Sequence, residues 1–507
     1  MRYVLGVDLG TSGTKTVLFD EKGNVVASAL REYPLIQPKN GWAEQEPESW
    51  WHASAETISE AIEKSGVAAE DIASLGISGQ MHGLVLLDED GKVLRPAILW
   101  CDGRTQDQCD EITARIGRER LIAISANPAL TGFTAGKILW VQQNEPEIWK
   151  KAKHILLPKD YVRYRLTGEF YSEMSDASGT NLLDVPGRKG SEEILEALEI
   201  PKELVPPLTE SAEVAGHVTE AAAAVTGLKT GMPVAAGAAD NMAGAVGTGV
   251  AVEGKAFTTI GTSGVVFAHS DTVQIDPKGR VHTFCSAVPG AWTVMSCTLA
   301  AGLSLKWYRD TFCSAEMDAA REMGTDPYVL MNEAAANSPI GANRLLFVPY
   351  LMGERSPILD SDARGAFIGL SAMHTRKDLL RAVMEGVIYS QRQNLDILRE
   401  MHVVPKTMLA CGGGAKSPFW RQMMADVFDM PVKTVKNSEG PAMGAAILAG
   451  TAVGLYKDIP SACREMIIEK EPQSPIAENS AAYEPFYKIY TAVYPSLAGV
   501  YHDLAKR

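Results

Sequence analysis

Asp8, followed by Gly10, Thr11, Ser12 and Gly13, puts a carboxylate at the end of an apolar run and then a short turn of glycines and hydroxyls. A turn of this kind can cradle a phosphate on backbone N–H groups while the carboxylate holds a metal ion, directly or through water. The same residues also fit a plainer reading, an Asp that caps a glycine turn. Gly261-Thr262-Ser263-Gly264 repeats the turn between apolar runs at an offset of 251 residues, about half the chain. Two such loops facing each other across a cleft would grip a triphosphate. The copies differ at Asp8, which corresponds to Thr259, so only the first loop carries a carboxylate.

Three further segments carry groups suited to chemistry. Asp240, in Gly237-Ala238-Ala239-Asp240-Asn241, follows an apolar strand and precedes a small-residue helix. It is either a helix N-cap or a general base whose small neighbours let a substrate hydroxyl come close. Ser78-Gly79-Gln80-Met81-His82-Gly83 reads either as a solvated turn or as a sugar pocket. In the second reading Gln80 and His82 meet hydroxyls and Met81 packs on the carbon skeleton, with Trp100, Asp102 and Arg104 adding a stacking face and more partners. Cys411-Gly412-Gly413-Gly414-Ala415-Lys416-Ser417-Pro418 ends a strand and opens a helix, as a structural turn or as a place where a flat ligand meets the backbone. Its spacing is neither that of a Walker loop nor that of a dinucleotide fingerprint. Glu439 to Ala446 opens another helix, whose small residues suit close packing or a ligand wall.

In this order the segments resemble the FGGY family of carbohydrate kinases, part of the sugar kinase, actin and Hsp70 superfamily. The resemblance runs along essentially the whole chain. It includes Gly41-Trp42-Ala43-Glu44-Gln45-Glu46-Pro47, Lys137-Ile138-Leu139-Trp140, Gly353-Glu354-Arg355-Ser356-Pro357 and Ser438 to Ala446. It implies an α/β fold of two actin-like, ribonuclease-H-like domains with a catalytic cleft between them. It implies Asp240 as the base that takes a proton from a sugar hydroxyl, and Asp8 as the acidic residue near Mg2+ and phosphate. Thr11, Ser12 and Gly13, with Gly261, Thr262 and Ser263, match the two phosphate loops for ATP, and Gly412, Gly413, Gly414 and Ala415 match the adenosine loop. Met81 and His82 match the sugar-contacting pair, and we place Gln80, Trp100, Asp102 and Asn241 on the same side. Gly79 to Gly83 points to D-xylulose as acceptor, with ribulose or gluconate as alternatives. An actin- or Hsp70-like nucleotide switch is the reading from a different class, and a homodimer is a family-level expectation.

Positioning these residues requires strands that end at the loops. Tyr3 to Asp8 and Thr16 to Phe19 read as a hairpin around the first loop, and Ser74 to Ser78, Leu84 to Leu87 and Leu345 to Pro349 as further strands. A helix from Thr375, with Asp378 completing a capping box, puts Leu379, Leu380, Val383, Met384, Val387, Ile388, Leu395 and Leu398 on one face. The Ala/Gly-rich stretch from Val234 to Val252 reads as a packed junction between domains 1–247 and 248–507. The 507 residues, at roughly 150 per domain, allow two to four domains.

A net charge of -14 argues against non-specific nucleic-acid binding, so any bound phosphate must be held locally. Seven scattered cysteines without a Cys-x-x-Cys pair suggest neither a disulfide scaffold nor a zinc site. No run reaches the 18 or so apolar residues of a membrane span, and the N-terminal segment lacks a signal peptide's apolar core. A reducing cytoplasm is the expected location.

Overall fold

The structure, a computed structural model, describes residues 2–436 and 439–507. Met1, Asn437 and Ser438, the last of them part of a motif quoted above, lie outside the described residues. The elements that matter for the site begin with β1 (Tyr3–Leu9), β2 (Gly13–Asp20), β3 (Val25–Glu32), α1 (Pro47–Ser65) and β4 (Ile72–Gly79). They continue with β5 (Val214–His217), β6 (Pro233–Ala235), β7 (Ala238–Ala239) and α2 (Asp240–Gly247). The second half supplies β8 (Lys255–Ile260), β9 (Gly264–Ser270), β10 (His282–Cys285), β11 (Trp292–Thr298), α3 (Gly302–Phe312) and α4 (Arg376–Glu400). β12 (Thr407–Cys411), β13 (Val432–Lys433) and α5 (Gly440–Ala452) complete the set.

These strands form two sheets, ordered β5-β6-β4-β1-β2-β3 with β7 beside β4, and β10-β11-β9-β8-β12-β13. Each is built around the same unit. β1 pairs antiparallel with β2 and parallel with β4, and β8 pairs antiparallel with β9 and parallel with β12. The half-length repeat in the sequence is therefore a repeat of topology, with the glycine turn at the tip of the hairpin in both copies.

Alternation along β1 explains how the first sheet is covered. Leu5, Val7 and Leu9 share one core cluster with Trp50, Trp51 and Ile58 of α1. Val4 belongs to a different cluster with Met443, Ala446 and Ile447 of α5. Gly6 and Gly76 lie on that second face because α5 comes too close for a side chain. A Cβ on Gly6 would stand 1.9 Å from the Ala442 carbonyl oxygen, and one on Gly76 2.2 Å from that of Ala445. α5, which comes late in the chain, thus packs on the first half's sheet and crosses α2, where Gly444 lies under Ala243 and Gly247 under Gly440.

The second sheet leans on α4. Its Thr375 cap and Asp378 exchange hydrogen bonds as the sequence suggested, and Leu380, Val383, Met384, Val387, Ile388, Leu395 and Leu398 are buried, with Leu379 at the edge. The halves also meet away from the helix crossing. Asn127 Nδ2 donates to Thr283 O at 2.9 Å, its Oδ1 accepts from His282 Nδ1 at 2.9 Å, and Cys285 N donates to Ser178 Oγ at 3.1 Å. No helix among the described residues is long and apolar enough to cross a membrane, and all seven cysteines are unpaired.

Candidate active site

The first loop is closed by a hydrogen bond from Gly10 N to Gly13 O at 3.0 Å. Behind it stands a network of amides. Thr11 Oγ1 donates to Gln80 Oε1 at 3.2 Å and accepts from Trp100 Nε1 at 2.9 Å, so its hydroxyl is already engaged on both sides. Gln80 Nε2 and Trp50 Nε1 each donate to Gln45 Oε1 at 3.0 Å, and Gln45 Nε2 donates to Thr11 O at 2.7 Å. Gln80, expected to meet the sugar, is 1 % exposed and braces the loop instead. Ser12 is exposed at the loop's tip.

Asp8 sits two residues past Gly6, on the same face of the strand, which α5 covers, beside Lys15 on β2 and Ser78 on β4. Ser78 Oγ donates to Asp8 Oδ1 at 3.2 Å. Burial pushes Asp8 up to about 6, the Ser78 hydrogen bond and Lys15 pull it back, and Glu439 adds to the rise. Lys15 Nζ lies 2.5 Å from Glu439 Oε2 at the start of α5. The sequence reading gave neither residue a role at Asp8. The register pairing of Asp8 with Lys15 is a local signal for one of them, whereas Glu439 arrives from the far end of the chain.

Asp240 opens α2 as its first helical residue, with Ala239 in the cap position, so the N-cap reading does not hold. Its Oδ1 accepts from Asn241 N at 2.6 Å and from Asn241 Nδ2 at 2.9 Å, and its Oδ2 has no partner among the described residues. Burial pushes Asp240 up to about 7, with the charge of Asp8 adding to it. A carboxylate anchored by one oxygen and open at the other, with its proton affinity near neutrality, has the properties of a general base. Asn241 Nδ2 also reaches Met81 Sδ at 3.8 Å, which joins the base to the segment read as the sugar pocket.

His82 takes the left-handed conformation, φ 69°, and its carbonyl is held by Lys137 Nζ at 2.9 Å and Thr134 Oγ1 at 3.1 Å. Its ring stacks on Phe133 at 4.5 Å, and Nδ1 lies 2.6 Å from Gly179 O. A carbonyl only accepts, so Nδ1 carries the proton. Burial and the charge of Lys137 hold the ring well below the usual imidazole range, which keeps it neutral and leaves Nε2 as an acceptor. Trp100 leaves 43 % of its surface exposed while its indole N–H is tied to Thr11. Asp102 departs from expectation. It is 1 % exposed, and its two oxygens are spent on Ala43 N at 2.6 Å and on Arg104 at 2.7 to 3.0 Å. Arg104 in turn lies 3.7 Å from the Trp42 ring and 2.8 Å from Glu44, so this cluster shapes the loop before α1 and offers no free carboxylate to a hydroxyl.

The second loop is closed by Gly261 N to Ser263 O at 3.0 Å and fastened to the start of α3 by Ala301 N and Leu303 N on Thr262 O, each at 3.1 Å. The glycine run after β12 separates two cavities. One, of about 570 Å³, is lined by Gly261, Thr262, Tyr328, Gly413, Gly414 and Ser417. The other, of about 660 Å³, runs from Asp240 and Asn241 along α2 to Gly412 and Ala415. Gly414 itself packs under Ile260, where a Cβ would fall 2.6 Å from the isoleucine Cβ. The structure thus brings Asp8, Asp240, Asn241 and Met81 close together and puts Gly261 and Thr262 of the second loop on the neighbouring cavity, while Gln80 and Asp102 are tied into the framework.

Residues 3–247 match the model for the FGGY family of carbohydrate kinases, N-terminal domain, and residues 256–453 that for the C-terminal domain. Over 97 % of this chain and 97 % of its own length, a xylulose kinase of Bacillus subtilis is 42 % identical. A gluconokinase of the same organism is 32 % identical over 99 % of this chain and 98 % of its own. A crystal structure described as a xyloylose kinase from Brucella ovis superposes with a TM-score of 0.90 at 37 % identity, covering 98 % of this chain and all of the other.

Proposed function

The chain belongs to the FGGY family of carbohydrate kinases, and from that membership we propose that it phosphorylates D-xylulose to D-xylulose 5-phosphate at the expense of ATP. The observation that carries the reading is Asp240, held through one oxygen and open through the other, between the first loop and the Met81–His82 pocket. The neutral Nε2 of His82 accepts from a sugar hydroxyl, Met81 and the exposed face of Trp100 lie against the carbon chain, and Asp240 Oδ2 takes the proton of the terminal hydroxyl. That hydroxyl oxygen attacks the γ-phosphorus as the bond to the ADP oxygen breaks, in line and without a covalent enzyme intermediate. The turns at Gly10 and Gly261 offer backbone N–H groups to the phosphates, and the cavity at Gly413 and Gly414 takes the adenosine.

Asp8 is our candidate for holding Mg2+. Asp8 and Asp240 are two buried carboxylates, the charge of Asp8 raises the proton affinity of Asp240, and all-oxygen donors suit a hard cation, so the residues fit the ion. Bound there, Mg2+ would neutralise phosphate charge. We place the division between the domains at residues 247 and 248, where α2 ends. The unpaired cysteines favour a reducing cytoplasm.

ATP consumption measured with xylulose, ribulose, gluconate and glycerol tests the assignment. Xylulose is expected to give the highest kcat/KM, and a better acceptor among the others would replace it. The gluconokinase similarity makes gluconate the second reading.

A further inference from the structure

The segment Gly353-Glu354-Arg355-Ser356 enters the sequence reading only as a family motif, and the structure fastens it firmly. Glu354 is 2 % exposed, and its carboxylate accepts from Leu299 N at 2.9 Å, from Arg355 N at 2.8 Å and from Thr298 Oγ1. Ser356 N donates to Cys297 O at 3.1 Å, and Ser356 Oγ to Arg280 O at 2.7 Å. Cys297 and Thr298 are the residues of β11 that pair with Val265 and Gly264, where the second loop runs into β9. The backbone on both sides of Arg355 is thus locked one strand away from that loop.

The guanidinium is treated differently. It is half-buried, yet it has no hydrogen bond and no ion pair among the described residues, while other arginines at the halves' contact are tied to carboxylates or carbonyls. Its charge is felt on both sides of the cleft. Burial holds the Cys297 thiol above its usual range, and Arg355 and a hydrogen bond with Ser263 draw it back. Burial, Lys137 and, more weakly, Arg355 depress His82 from across the cleft, and burial with Arg355 brings His282 down to about 3. Arg355 is therefore anchored beside the strand that pairs with the second loop, and its charge reaches as far as His82. The neighbouring Glu354 carboxylate feels its charge but is already tied to three donors, so the half-exposed guanidinium is open to an anion beside the second loop.

We propose that Arg355 is a catalytic residue of the phosphoryl transfer, its guanidinium gripping two oxygens of the phosphoryl group as that group leaves ADP for the sugar. The inference rests on the sugar-kinase reading above. A planar fork with parallel N–H donors matches two phosphoryl oxygens and stabilises the charge spread over them in transit. Arg355 exchanges no proton. The bond from phosphorus to the ADP oxygen breaks, the bond to the sugar oxygen forms, and the proton goes to Asp240.

Steady-state kinetics of Arg355→Gln, Arg355→Lys and Arg355→Ala, with calorimetric binding of an ATP analogue and thermal melts, test this. We expect kcat to fall at least about 100-fold in Arg355→Gln while sugar KM and nucleotide affinity stay within about threefold. Arg355→Lys should fall in between, and added ethylguanidinium should restore part of the rate of Arg355→Ala. A loss confined to sugar KM, a kcat within about fivefold of the parent, or a loss that ethylguanidinium leaves untouched overturns the proposal. A parent enzyme that consumes ATP with none of the sugars overturns the sugar-kinase reading and this inference with it. A parent active on a sugar, with an equally active Arg355→Gln, overturns this inference alone.

Discussion

At Asp240 the protein holds a carboxylate in a state that burial and Asp8 make costly, and activity should show it. The base works only when deprotonated, so kcat/KM should fall as pH drops through about 7 and fall further through about 6 as Asp8 takes its proton. A pH–rate profile flat from 5 to 8 would remove Asp240 from the role of base. The same rise has a cost in stability. A carboxylate with a raised folded-state value binds its proton more tightly when folded, so the fold loses stability as pH climbs from the ordinary range toward about 7. Asp240→Asn keeps the shape and removes the charge. At pH 8 it should therefore gain about 1 to 3 kcal/mol in denaturant unfolding while losing at least about 100-fold in sugar phosphorylation, with nucleotide binding retained. A variant that is both active and no more stable would contradict both halves of this account. The residue types at this site were legible in the sequence, since Asp240, His82 and the loops are local patterns. The wiring was not, because Gln45, the partner of Gln80, and Ala43, the partner of Asp102, come from a separate segment that is itself braced by Trp50 of α1.

Among the elements, the hairpins were readable because a glycine turn between apolar runs is a short-range signal, and α4 was readable from its cap and its period. The small residues of α5 pointed to close packing or a ligand wall, but the sequence could not show which elements the helix packs on. It lies against β1, β4 and α2 at distances that leave no room for a Cβ at Gly6, Gly76, Gly247 or Gly444. Gly6→Ala should cost about 1 to 3 kcal/mol in urea unfolding, since the added carbon meets a helix carbonyl that is already hydrogen-bonded. Because Glu439, the residue that caps α5, holds Lys15, the same change should also weaken nucleotide binding. Normal stability together with normal affinity would show that the helix can step aside.

On the scale of the whole molecule, the halves are joined on two sides, by the α2–α5 crossing and by the contact of β10 with Asn127, Ser178 and the ring of Phe133. The second contact lies on the sugar side, behind His82. Asn127→Ala should raise the sugar KM several-fold, by order of magnitude about 1 kcal/mol per lost hydrogen bond, and leave the nucleotide KM unchanged. A matching rise in both would mean that the contact serves general stability. The duplicated hairpins also bear on direction. In the site proposed above, two alike loops would give approximate twofold symmetry, into which a chain of phosphates would fit either way round. Asp8 against Thr259 at the strand ends, a cavity of about 570 Å³ lined by the second loop, and the proposed base Asp240 close to Asp8 break that symmetry three times. The duplicated fold thereby acquires a polarity, and a molecule built from two copies of one unit can move a phosphoryl group one way across itself.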